Sequence, residues 1–140
     1  MNRFTISAIL LSATLLLTAT VPAAATSGHQ FLGRWHGIDV DPYGDESNVG
    51  LWIIADGWSG GRLFDVRGSD DKTGDWCGGH ARMQALAVPD GENENILTTT
   101  GTWWCLDPQE SVWPFGAGTL TYDPDADTIT DGENTYYRGG

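Results

Sequence analysis

The sequence predicts an all-β fold: one small antiparallel up-and-down β-barrel of about eight strands, held by one disulfide and preceded by a signal peptide. Three observations predict it. Turn signals built from Gly, Pro, Asp and Asn recur throughout the chain after residue 32. The stretches between them are short and alternate in polarity, with no convincing helical period. Two cysteines, Cys77 and Cys105, stand in a chain that carries an export signal.

The N-terminus opens with a basic head, Met1-Asn2-Arg3, followed by an apolar stretch centred on Ile9-Leu10-Leu11 and Leu15-Leu16-Leu17. It closes on Val21-Pro22-Ala23-Ala24-Ala25, a small-residue cleavage site. Residues 1–25 are therefore expected to be removed, leaving residues 26–140 as one secreted domain. A retained membrane anchor is the alternative, but Ser12, Thr14, Thr18 and Thr20 dilute the apolar run. No second long apolar run follows, so no membrane attachment is expected after cleavage.

Loss of Arg3 leaves six basic against 19 acidic residues, a net of −13. Such a field repels phosphate backbones and anionic lipid, so nucleic acid and membrane surfaces are poor partners. In an oxidising compartment Cys77 and Cys105 are expected to pair. The chain-entropy model assigns that loop closure roughly 3–4 kcal/mol.

Strands are expected at Arg34–Val40, Asn48–Asp56, Arg62–Arg67, His80–Val88, Asn95–Cys105, Gly118–Tyr122, Asp127–Thr130 and Thr135–Arg138. Turns fall at Asp41-Pro42-Tyr43-Gly44-Asp45, at Asp56 to Gly61, at Pro89-Asp90-Gly91-Glu92 and at Asp131-Gly132-Glu133-Asn134. One register can be specified. Cys77 and Cys105 are equidistant from Gly91, and a hairpin tip there pairs Ala81 with Gly101, Met83 with Thr99 and Ala85 with Leu97. The two cysteines then face each other. The odd-numbered face carries Ala81, Met83, Ala85, Ala87, Leu97 and Trp103, and the even face His80, Arg82, Gln84, Thr98 and Thr100. One face is apolar and the other polar, as a half-buried sheet requires.

Gly33-Arg34-Trp35, at the start of the first strand, resembles the G-x-W motif that opens lipocalins and avidins. In that calycin group the Trp closes one end of an up-and-down barrel, and a basic residue near the last strand packs across it. Arg138 stands at the matching place. The span from Gly33 to Arg138 is also similar in size to an avidin or a bacterial secreted metalloprotease inhibitor. The resemblance implies a barrel with Trp35 and Arg138 as structural residues. No ligand-contacting residues carry over.

Several patterns suggest chemistry. Gly57-Trp58-Ser59-Gly60-Gly61 matches a nucleophile elbow, but that motif needs a strand-to-helix turn, and here it joins two expected strands. Asp123-Pro124-Asp125-Ala126-Asp127 begins like a calcium loop, yet Thr128 occupies the glycine position and Asn134 that of the bidentate Glu. A hairpin turn capped by Asp side chains is the simpler reading, and Asp39, Asp41, Asp45 and Glu46 receive the same one. His29, His36 and His80 lack a zinc spacing. No metal, cofactor or catalytic set is expected.

Seven Trp residues are the strongest anomaly. Trp103 and Trp104 are consecutive on a strand and must point to opposite faces. Trp58, Trp76 and Trp113 fall in expected loops. With Trp104 they form the candidate ligand-binding set, since exposed indoles meet sugars, apolar ligands or partner proteins. The alternative is that they are simply core plugs. The expected function is a secreted binding protein for a small apolar molecule or glycan. The alternative is an extracellular protease inhibitor or other protein-binding factor, with the enzyme reading last. A wide cavity favours the first. A filled barrel with an exposed aromatic loop or a projecting trunk over Thr26–Phe31 favours the second.

Overall fold

The computed structural model describes residues 28–72, 77, 79–106 and 111–139, with backbone alone at 111 and 113–116. Residues 1–25, and with them the expected signal peptide, lie outside the described residues. Eight strands close into an antiparallel up-and-down barrel. They are β1 Gly33–Val40, β2 Glu46–Ala55, β3 Phe64–Asp70, β4 Ala81–Pro89, β5 Ile96–Cys105, β6 Ser111–Asp123, β7 Thr128–Thr130 and β8 Thr135–Arg138. Each pairs with its sequence neighbour, and β8 returns to β1 through Trp35–Arg138 and His36–Tyr137. The seam is short: β8 is registered against β1 over Trp35 and His36, and β7 against β6 over Thr121–Asp123.

Alternation places Trp35, Val49, Leu51, Ile53, Phe64, Val66, Ala85, Ala87, Leu97, Leu120, Ile129 and Tyr136 in one core. Outward positions are polar or carry isolated apolar residues such as Ile38 and Leu86. Phe31 joins the core from before β1. The expected trunk is in its described part a plug: Gly28 precedes a 3-10 turn at His29–Phe31, and Phe31 is fully buried. Gly28 has a φ of 96°, and a Cβ there would lie 2.7 Å from the Phe64 ring. Only glycine fits both the conformation and the space.

The β4–β5 register differs from expectation. Ala81 pairs with Cys105 rather than Gly101, Met83 with Trp103 rather than Thr99, and Ala85 with Gly101 rather than Leu97. Asn93, not Gly91, is the centre of symmetry. The cause is turn chemistry. The Asp90 carboxylate accepts from the amides of Glu92 and Asn93, and Asn93 Oδ1 accepts from the Asn95 amide. The Asp90 amide donates to Ile96 O at 2.9 Å, so the connection is six residues, 90–95. Because each strand slips by an even number of residues, the apolar face stays inside.

Cys77 and Cys105 are bonded, with Cα atoms 5.4 Å apart. They are not opposite each other in the sheet: Cys77 precedes β4, and the bond staples that lead-in to the end of β5. Both cysteines are buried, packed with Ala81 and Trp103. β6 begins at Ser111, well before the expected Gly118, so Trp113 lies in a strand, opposite Trp103, and not in a loop. Trp113-Pro114-Phe115-Gly116 reads as a turn, but the β5–β6 ladder absorbs it through an irregularity between Thr99 and Gly101. Gly101 is required there: a Cβ would collide with Gln84 O and lie 2.6 Å from Ala85 Cα.

Candidate functional site

The two barrel ends are built differently. One is closed. Trp35, 2% exposed, donates from Nε1 to Phe31 O at 2.8 Å, which fixes the plug against the first strand. The Arg138 guanidinium covers its ring, with Cζ 4.1 Å from the centroid. Arg138 also donates to Leu32 O and Gln30 O, both at 3.0 Å, and to the Asp127 carboxylate at 2.7–3.1 Å. Trp35 and Arg138 are therefore direct cross-strand partners that lock the plug, β1, β8 and the β6–β7 turn together. The Arg138 guanidinium holds the Asp127 carboxyl below its ordinary value. Burial, aided by the bond to Asp127, raises the Tyr122 phenol.

At the other end the described residues leave the barrel interior accessible. A cavity of about 550 Å³ enters the barrel between β2, β3, β5 and β6. Leu51, Val66 and Leu120 form its floor, and Val49, Met83, Trp103 and Tyr136 its walls. Thr99, 6% exposed, lines it, and its hydroxyl has no hydrogen-bond partner among the described residues. Asp39, Asp70, Asp131 and Glu133 border it, and no basic residue does. Asp131 accepts from the Tyr136 hydroxyl at 2.7 Å. Burial first, then this bond, pushes the Tyr136 phenol far up, so it stays protonated. The cavity thus joins an apolar base, an indole wall, a free hydroxyl and an acidic rim. By its chemistry such a lining is compatible with a small, mostly apolar molecule that is neutral or positively charged.

Of the four candidate tryptophans, the two whose side chains are described, Trp58 and Trp104, lie on different surfaces. Trp58 projects completely exposed from the β2–β3 connection at the closed end. Trp104 is half-buried on the outer wall, beside Arg82 and Leu106 near the open end. Trp76 lies outside the described residues, as does the Trp113 side chain. Among the described side chains the indole in the cavity is Trp103, adjacent to a named candidate and on the opposite face. Its odd-face position was the available signal, but a period of two cannot distinguish a packed core residue from a cavity wall.

Other patterns resolve into structure. Asp56 caps a 3-10 turn at Gly57–Ser59, and Ser59 Oγ both donates to Asp56 O and accepts from the Leu63 amide. That hydroxyl is a loop brace. Asp123 Oδ1 accepts from the amides of Asp125 and Ala126, while Asp127 binds Arg138 and Tyr122. Asp41 Oδ1 accepts from the amides of Tyr43 and Asp45. No group of three or more metal-ligating side chains occurs among the described residues.

Comparison of the chain with protein-family models, with curated proteins and with solved structures finds no match.

Proposed function

We propose that this chain is exported, loses residues 1–25, and works as a calycin-like secreted binding barrel that takes a small apolar molecule into its open mouth. The observation that carries this reading is the cavity of about 550 Å³, opposite an end sealed by Trp35 and Arg138. One plugged end and one open end make a cup, which suits capture better than passage. The apolar base supplies affinity at about 25 cal/mol per Å² of ligand surface covered. Thr99 and the rim carboxylates orient a polar or cationic end. The buried disulfide suits an oxidising compartment.

The test titrates a neutral apolar fluorophore into the purified domain. Binding is expected to raise its emission, and Thr99→Phe, which fills the cavity, should abolish the rise while the far-UV spectrum is unchanged. A wild-type protein that binds no member of a panel of neutral and cationic apolar compounds would overturn the reading. Export is checked by intact mass of the protein from a secreting host, with Thr26 expected as the first residue.

One observation favours the protein-binding alternative. Fully exposed Trp58, on a loop braced by Asp56, forgoes roughly 2–3 kcal/mol of burial, which a partner could recover. Trp58→Ala should then relieve inhibition of an extracellular protease and leave fluorophore binding intact.

A further inference from the structure

The outer wall of β1–β4 runs against the charge of the whole chain. Two rows of outward side chains are in register there. Arg34, Trp52, Arg67 and Gln84 form one; His36, Gly50, Ser69, Arg82 and Trp104 form the next. Gly50 and Ser69 are small, so the second row sinks into a hollow of about 540 Å³ bordered by Arg34, His36, Trp52, Arg67 and Arg82. No carboxylate side chain lines it among the described residues. A second hollow of about 480 Å³ adjoins it across Arg67 and Arg82 and leads to Trp104 and Leu106.

The arginines are arranged rather than scattered. Trp52 holds two of them, with the Arg34 and Arg67 Cζ atoms 5.0 and 5.5 Å from its ring. Arg67 is also tethered to Asp65 at 3.1 Å. Arg34 makes no ion pair with any described residue, and Arg82 makes neither an ion pair nor a side-chain hydrogen bond with one. Acidic residues outnumber basic ones 19 to seven. Free guanidiniums gathered on one wall are therefore the reverse of what composition delivers.

We infer that this wall is a second binding site, whose ligand is a short acidic oligosaccharide carrying carboxylate or sulfate groups. Guanidinium forks match those groups in a bidentate manner. The half-buried Trp104 indole offers a flat face for a sugar ring at the end of the same groove. An extended peptide fits less well, because β2, β3 and β4 beneath this wall are paired on both sides and offer no free backbone for strand addition. A long polyanion would reach the acidic loops at the open mouth. A short one stays over the arginines and meets acidic groups at one edge, where Asp70 and Asp71 share a hollow with Arg82; physiological salt weakens that repulsion.

The site is independent of the mouth cavity, and the experiment keeps them separate. Calorimetric titrations compare a heparin-derived tetrasaccharide, a galacturonic acid tetrasaccharide, neutral cellotetraose and inorganic sulfate alone. At least one acidic tetrasaccharide should bind, at least tenfold tighter than cellotetraose or sulfate and more weakly as salt rises. Which acidic sugar binds identifies the anionic group. Arg82→Gln should weaken binding roughly tenfold with the melting temperature unchanged, since Arg82 holds nothing in the fold. Trp104→Ala should weaken it too, and fluorophore uptake by the mouth should survive Arg82→Gln. Absence of binding to either acidic sugar, equal affinity for cellotetraose or for sulfate, or full affinity in Arg82→Gln overturns the inference.

Discussion

Replacing Arg138 by Met separates its guanidinium from its aliphatic bulk and tests the closed end quantitatively. Met retains an apolar stem over Trp35, so the loss is confined to polar and cation–π contacts. The cation–π contact at 4.1 Å contributes about 0.5–1 kcal/mol at a partly exposed position. Bonds from a charged donor to Gln30 O and Leu32 O contribute nominally about 1.5–3 kcal/mol each. Arg138's side chain is 38% exposed, so solvent takes back much of that, and the exposed Asp127 ion pair adds little. A net loss of about 2–3 kcal/mol is expected. In urea unfolding that corresponds to a midpoint lower by roughly 1–2 M, with an unchanged slope. Trp35→Phe as a partner mutation completes a cycle whose coupling should be positive. A midpoint within about 0.3 M of the wild type, or a coupling of zero, would refute the claim that Arg138 locks the plug through Trp35.

Three further outcomes follow from the same contacts. Replacing both cysteines by Ser should cost about 3 kcal/mol in denaturant unfolding, because the bond closes a 28-residue separation. Gly101→Ala should destabilise by about 1–3 kcal/mol or prevent folding, because its Cβ meets the β4 backbone at Gln84 and Ala85; Gly91→Ala, in open space, is the matched control. Asp71, Asp90 and Asp127 are held below 3.8 by the Asn48 side chain, the Glu92 amide and the Arg138 guanidinium respectively. Depressed carboxylates stabilise the fold above the unfolded value and lose that contribution as pH falls through the folded one. Melting temperature should therefore hold down to about pH 5 and decline below about pH 4, less steeply in Asp127→Asn.

The barrel was legible because it depends on local signals. Each of the eight expected strands has a counterpart in the barrel, with β6 beginning at Ser111 instead of Gly118, and Trp35 meets Arg138 where the G-x-W resemblance put them. The β4–β5 register was misread because the cysteine spacing is symmetric about Gly91. The turn is instead set by the Asp90 and Asn93 side chains, which extend it by an even count. β6 was begun late because Pro114 and Gly116 usually break strands, and a ladder irregularity that tolerates them leaves no sequence signal. The site was less legible. Trp103 lay on the inward face from the start, but a cavity is volume left unfilled by eight strands together, and pairwise patterns do not sum to it. The arginine wall likewise needs four strands in register before Arg34, Arg67 and Arg82 become neighbours.

The cavity at the mouth is proposed to be a binding cup. Amide chemical-shift mapping of the isotope-labelled domain, titrated with a bound apolar ligand, tests it residue by residue. Shifts are expected to concentrate at Val49, Asp70, Met83, Thr99, Trp103 and Tyr136, with the Trp58 loop and the Arg138 clamp unmoved. Shifts centred on the Trp58 loop, or spread evenly over the outer wall, would contradict it.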